Sequence, residues 1–496
     1  MNPSRPVVWG SLVAMLLLVA LLVWNQRPPA EAPVREPLVV YCAAGLRQAV
    51  EAAVDDYGRE RGVPVQIQYG GSGTLLSNLR VARSGDLFVP GDSSFIDAGR
   101  SNGLLAEVIP LARMRAVVAV ARGNPKGLRS VRDLLRSGVR VSLGNPDSVA
   151  IGAVARAALV RSGDWPELSA RALVFKPTVN DVANDVKLGA VDAGIVWDTT
   201  LVQYPELEAV AVPELAGAMS DVSAAVLGAS RQPTEALRLA RHLGARDRGL
   251  RRFREAGFEV VAGDVWALRP SVVLYSGSVN RQAAEPTLRE FEAREGVEIT
   301  RVYNGCGILT AQIRSGQRPD AYFACDVSFM ETVQPGFQPA VSLARTPLVL
   351  AVRKGNPHRV TDLSDLARGP LKVGLCHEDQ SALGALSVGL LRARGLWDSV
   401  KGHLAVQAPT GDLLINQLRS GALDVALVYA ANAAAVADSV GVVPLSGPGT
   451  MAIQPYAVGR GSDHAQLMTR LLRALESPRS RERFQASGFQ MEEPVP

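Results

Sequence analysis

The chain has 496 residues, 47% of them hydrophobic and 20% charged, the balance of a folded protein with ample core, which excludes large-scale disorder. Its length exceeds what one hydrophobic core supports and points to several compact units of ~100–150 residues each. The net charge of +5 comes from basic residues scattered along the chain, not gathered into tracts with interleaved aromatics, which argues against nucleic-acid binding.

Residues 1–25 read as a transmembrane anchor or signal segment. Val7 to Trp24 is uninterrupted by charge, and its 18 residues make a helix about 27 Å long, enough to cross a bilayer. Arg5 precedes it, and Trp9 and Trp24 sit near its ends, where interfacial aromatics belong. The rival is a cleaved signal peptide. The only small-residue site, Ala30-Glu31-Ala32, lies well past the apolar core and would leave Pro33 at the new terminus, so an uncleaved anchor is preferred. Both readings export the bulk of the chain. A Pro- and Glu-rich linker follows over 26–37.

From Leu38 the pattern alternates strand and helix. Leu38 to Tyr41 is a short apolar run; Leu46, Ala49, Val50, Ala53, Val54 and Tyr57 then form the stripe of an amphipathic helix. Val63 to Tyr69 alternates like a strand, and a Gly/Ser turn leads into a helix through Leu75, Leu76 and Leu79. Leu87–Val89, Ala116–Ala121, Val139–Leu143 and Gly194–Trp197 read as further strands. Such alternation predicts a parallel α/β sheet with helices on both faces, and ligands then bind at the carboxyl ends of strands.

The pattern is then repeated. Tyr41, Arg47 and Gln48 match Tyr275, Arg281 and Gln282 at an offset of 234 positions, which also carries Tyr69 to Tyr303, Gly71 to Gly305, Asp86 to Asp320 and Asp92 to Asp326. After two residues are lost, the offset of 232 pairs Gly123-Asn124-Pro125 with Gly355-Asn356-Pro357 and Asp192 with Asp424. The expected organisation is module one over 38–268 and module two over 271–496. The short join near Arg269-Pro270 predicts that the modules touch.

Three loops of module one fall at strand ends: Cys42–Gly45, Gly70–Thr74 and Asn145–Gly152. Each is small or Gly-rich and opens a predicted helix, whose first turn has unpaired N–H groups and partial positive charge. An anion can be held there without lysine or arginine. About six hydrogen bonds to a charged ligand, each worth ~1.5–3 kcal/mol, exceed the roughly 8 kcal/mol net that a micromolar site needs. The plainer alternative is flexible turns with Ser72 or Thr74 as helix caps; duplication of all three loops favours a site. Asp92 and Asp326 are expected as helix caps and Asp198 as a surface charge. Nothing supports catalysis: Cys376 and His377 are adjacent on an extended segment and point apart, and the five histidines show no metal-ligand spacing. The cysteines Cys42, Cys306, Cys325 and Cys376 form no obvious disulfide framework.

At these residues each module resembles the periplasmic molybdate/tungstate-binding proteins of the type II solute-binding fold. The resemblance rests on Tyr69-Gly70-Gly71-Ser72-Gly73-Thr74-Leu75, Gly85-Asp86-Leu87-Phe88, Gly91-Asp92, Gly144-Asn145-Pro146 with Gly152, Gly194–Trp197 and the closing Phe253 to Gly257-Phe258. It implies two tandem α/β modules, each of two lobes around a cleft, that hold a tetrahedral oxyanion for an inner-membrane ABC permease in the periplasm. No cofactor and no bare metal cation are implied. By position, Ser72 would bind the oxyanion through its hydroxyl and N–H, Ala44, Gly45, Gly73, Ile151 and Val179 through backbone groups, and Trp197 stands where the family often has a tyrosine. Gly45 departs from the family's usual serine.

In module two the corresponding residues are Ser276, Ser278, Cys306, Leu383, Gly411 and Tyr429. Cys306 replaces the serine equivalent to Ser72, and a thiolate at a helix N-terminus would repel an anion. Module one is therefore expected to be the oxyanion site, with module two altered. The alternative is a membrane-anchored solute sensor or scaffold that binds another anion, ferric ion or a small organic solute.

Overall fold

The computed structural model describes residues 36–492 together with Met15. The candidate anchor Val7–Trp24, Met15 apart, and the linker up to residue 35 lie outside them. Among the described residues no helix is long and apolar enough to cross a membrane.

The first module contains β1 (Leu38–Ala43), β2 (Val65–Gly70), β3 (Leu87–Val89), β4 (Leu105–Ala121), β5 (Val141–Gly144), β6 (Val174–Lys176), β7 (Ala193–Trp197), β8 (Leu207–Val210), β9 (Met219–Leu227) and β10 (Glu259–Val260). The second repeats them as β11 (Ser271–Gly277), β12 (Glu298–Asn304), β13 (Ala321–Phe323), β14 (Val341–Arg353), β15 (Val373–Cys376), β16 (Leu404–Ala408), β17 (Val425–Tyr429), β18 (Val440–Pro444), β19 (Met451–Val458) and β20 (Gln490–Met491). Strand orders are β2-β1-β3-β9-β4-β7-β5-β6 and β12-β11-β13-β19-β14-β17-β15-β16, the same topology twice.

Local physics explains the opening unit. β1 pairs in parallel with β2 and β3 on either side, so it reads as a continuous apolar run. The helix Arg47–Arg61 buries Ala49, Val50, Ala53, Val54 and Tyr57, the stripe expected from sequence, and stops at Gly62, whose φ of 60° needs no Cβ.

The sheets are mixed, which corrects the expectation of a parallel one. β4 is a single strand of 17 residues. Its first part pairs antiparallel with β9 up to Arg115, and its second, from Ala116, pairs antiparallel with β7 and β8. The chain thus enters the second lobe along β4 and returns along β9, and segments that lead out and back must run in opposite directions. The expected strand at Ala116–Ala121 is the second half of this crossing. β14 and β19 do the same in module two.

The modules touch through their first lobes. Glu295, 1% exposed, accepts from Arg470 at 2.7 and 3.1 Å, while Arg241 of the first module donates to the Glu295 carbonyl at 2.8 Å. Arg294 grips Glu107 with two bonds of 2.7 and 2.8 Å. The Asp264 carboxylate accepts the N–H groups of Gln466 and Leu467 at 2.8 and 3.0 Å, capping a helix of the other module.

Candidate functional site

Four helical N-termini converge between the lobes of module one. The turn Ala44–Leu46 leads into the helix that starts at Arg47; the others are Ser72–Ala82, Ala150–Ser162 and Val179–Lys187. The first three begin at Ala43, Gly71 and Val149, none of which supplies a side-chain cap. Two other helices of the module are capped by their own side chains, as Asp92 accepts from the Ser94 N–H and Ser130 from Asp133, whereas those starting at Trp165, Pro233 and Gly249 are not; what sets the cleft helices apart is that their starts meet at one point. Uncapped first turns leave donors and partial positive charge at one point.

These N-termini enclose a cavity of about 20 Å³, little more than the ~10–15 Å³ that one water needs, so the closed cleft suits a compact ion. Among the described residues no lysine or arginine lines it. A hollow of about 460 Å³ beside Phe291 and Arg294 is the seam between the modules.

Of the expected residues, Ala44, Gly45, Ser72, Val179 and Trp197 line the cavity. Ser72 is 1% exposed, and its Oγ accepts the Gly91 N–H at 3.0 Å, which leaves the hydroxyl hydrogen free to donate. Gly73 and Ile151 do not line it. The Gly73 N–H is spent on the Ser148 carbonyl of the opposite lobe at 2.9 Å, and Ile151 is fully buried behind Ala150. Ala43, Gly70, Gly71, Val149 and Ala150, which also line it, belong to the three loops singled out in the sequence, whereas Leu46, Gly91 and Thr178 were not expected there. Thr178 caps its helix through Asp181, and that Thr178/Asp181 spacing was the available signal.

The glycines of Gly70–Thr74 have a steric role across the cleft. A Cβ on Gly71 would lie 2.6 Å from the Ser148 oxygen, and one on Gly73 would lie 2.8 Å from that of Asp147. Gly305 and Gly307 meet Gln380 and Asp379 in the same way, and the Gly307 N–H donates to Gln380 at 3.1 Å. Gly45 is equally constrained, because a Cβ there would meet Val179 at 2.9 Å and Trp197 at 3.5 Å.

Module two keeps the frame and changes its lining. Gly45 facing Val179 becomes Val279 and Gly411, an exchange of small for large across the cleft. Ala43 with Gly91 likewise becomes Gly277 with Cys325. Cys306 accepts the Cys325 N–H at 3.0 Å, the bond that Ser72 makes with Gly91, and the two Sγ atoms are 2.7 Å apart. Ser276 is buried and donates to the Gly277 carbonyl at 3.2 Å; Leu383 packs beside Gly411. The Tyr429 hydroxyl is buried without a hydrogen-bond partner among the described residues. Asp412, where module one has Asn180, interacts with Ser278 and accepts from Asn432 at 2.7 Å, placing a carboxylate beside the first loop. All four cysteines are free thiols.

The chain is similar to several known proteins over a little under half of its length. The chain is 30% identical over 230 residues to the molybdate-binding protein ModA of Mycobacterium tuberculosis, a match that spans 45% of this chain and 86% of that protein. Among solved structures it is similar to the periplasmic molybdate-binding protein of Azotobacter vinelandii at 17% identity and a TM-score of 0.41, covering 45% of this chain and 100% of that one. It is also similar to the sulfate-binding protein SubI of M. tuberculosis, at 17% identity and a TM-score of 0.41, over 46% of this chain and 88% of that one. The family described as bacterial extracellular solute-binding protein matches twice, over residues 38–259 and 272–490. Two closed clefts on one topology and two matches to one family lead to the same statement: this chain belongs to the bacterial extracellular solute-binding proteins and carries their module in tandem.

Proposed function

We propose that module one captures a tetrahedral oxyanion, molybdate or tungstate, outside the cytoplasm and delivers it to an ABC permease of the inner membrane. Val7–Trp24 would hold the chain at that membrane. The observation that carries this reading is the convergence of three uncapped N-termini on a cavity of about 20 Å³ that no cationic side chain lines. Such a site holds an anion by backbone donors, and its small volume disfavours organic solutes. Similarity to the M. tuberculosis molybdate-binding protein supports the choice of oxyanion.

Module two is the altered copy. Cys306 is a weaker donor than a serine, Cys325 adds bulk where module one has Gly91, and Asp412 adds negative charge. All three changes oppose an anion. Isothermal titration of the purified protein with molybdate, tungstate and sulfate tests the reading. Micromolar or tighter binding of molybdate or tungstate at one site per chain is expected. No heat with any of the three would sink the oxyanion assignment, and two equal sites would sink the asymmetry.

A further inference from the structure

The cleft of module two contains a cysteine pair that oxyanion capture does not use. Cys306 opens the helix Cys306–Arg314, and Cys325 follows β13 in the same lobe. Their Sγ atoms are 2.7 Å apart, within reach of the ~2.05 Å of a sulfur–sulfur bond. The surroundings leave room for this pair. A Cβ on Gly277 would lie 2.0 Å from the Cys325 Sγ and 3.2 Å from that of Cys306, whereas module one has Ala43 at the equivalent position and Gly91 in place of Cys325. We propose that Cys306 and Cys325 are a redox-modifiable pair that closes to a disulfide inside the cleft of module two.

Cys306 is the attacking thiol. Its helix starts at Gly305 without a side-chain cap, so the positive end of the helix faces the sulfur, and the Cys325 N–H donates to it at 3.0 Å. Burial raises the Cys306 thiol, but its hydrogen bonds with Cys325 bring it below the ordinary range; the same sulfur–sulfur contact, and then burial, hold Cys325 well above it. Cys306 is buried while the cleft is closed, so a small-molecule disulfide reaches it when the lobes part; the Cys306 thiolate then attacks one sulfur of that disulfide and expels a thiolate, which takes a proton. Cys325 then gives up its proton and attacks the Cys306 sulfur, expelling the second thiol. Two protein thiols are oxidised, and one external disulfide is reduced to two thiols. All four cysteines are buried, but at Cys42 and Cys376 burial is what pushes the thiol up, Cys376 to about 12. Exported chains meet the oxidising surroundings this chemistry requires. The pairing does not depend on which solute module one binds.

The test treats the folded, purified protein with oxidised glutathione, quenches with acid, denatures, alkylates and maps peptides by mass spectrometry. The expected result is alkylation of Cys42 and Cys376 alone, with a peptide pair joined through Cys306 and Cys325 that a reductant releases. Four alkylated cysteines, glutathione retained on a single cysteine, or a bridge involving Cys42 or Cys376 would each overturn the proposal.

Discussion

The Gly73 N–H donates to the Ser148 carbonyl at 2.9 Å, tying the first lobe of module one to the second across the cleft. A side chain at Gly73 would collide with Ser148 and Asp147 backbone atoms at 2.8–2.9 Å, and backbone cannot rotate away. Gly73→Ala should therefore hinder closure at a cost of about 1–3 kcal/mol. The expected outcome is a five- to hundredfold weaker tungstate affinity by calorimetry, with little change in far-ultraviolet circular dichroism. An unchanged affinity would show that binding does not need this approach of the lobes.

Ser72→Ala removes the acceptor of the Gly91 N–H together with a hydroxyl at the cavity. Leaving a buried donor unsatisfied costs about 1–3 kcal/mol, and the ligand loses a bond as well. Oxyanion affinity should fall at least tenfold. The matching change in the other module, Cys306→Ser, should leave the affinity and the single-site stoichiometry as they were. Normal binding by Ser72→Ala, or loss of the site in Cys306→Ser, would contradict the assignment of the site to module one.

Glu295 is a carboxylate shared at the seam. Burial alone would raise its pKa, but Arg470 and then Arg241 outweigh that and hold it below the ordinary glutamate range. A depressed carboxyl contributes stability that is present above its unfolded pKa and lost as pH falls through the folded one, so this contribution is lost on the acid side of the ordinary glutamate range. Glu295→Gln should leave two buried guanidiniums uncompensated, a loss of about 3–5 kcal/mol. Urea unfolding at neutral pH should show a lower midpoint, and the two modules should unfold in separate steps.

His242 is fully buried, edge-on to Tyr57 and Trp266 at centroid distances of 5.2 and 5.0 Å, and burial lowers its pKa to about 4. The sign follows from the depression: stability is present above the unfolded value of roughly 6.5 and is lost as pH falls from there to about 4. The melting temperature of module one should fall between pH 7 and 5, and His242→Phe should flatten that slope. An equally steep slope in the variant would assign the titration elsewhere.

Much of this protein was legible in local pattern. The stripe from Ala49 to Tyr57, the buried run of β1, the strand at Leu87–Val89 and the Asp92 and Asp326 caps all depend on neighbours a few residues away. The repeat was legible because two copies preserved the same turns. Strand direction was not, because β4 pairs with β9 more than a hundred residues later, and nothing within either segment records which way its partner runs. The site divides in the same manner. Small residues at helix starts pointed to loops that the structure brings together around one cavity, Ser72 and Gly45 among them, but the reason for Gly71 and Gly73 lies in carbonyls of the opposite lobe. The exchange of Gly45 and Val179 for Val279 and Gly411 is likewise visible only when both walls of the cleft are present. Periodicity and capping are encoded over a single turn or strand; which surfaces meet, and which amides are left free at the meeting, follows from packing between segments far apart in the chain.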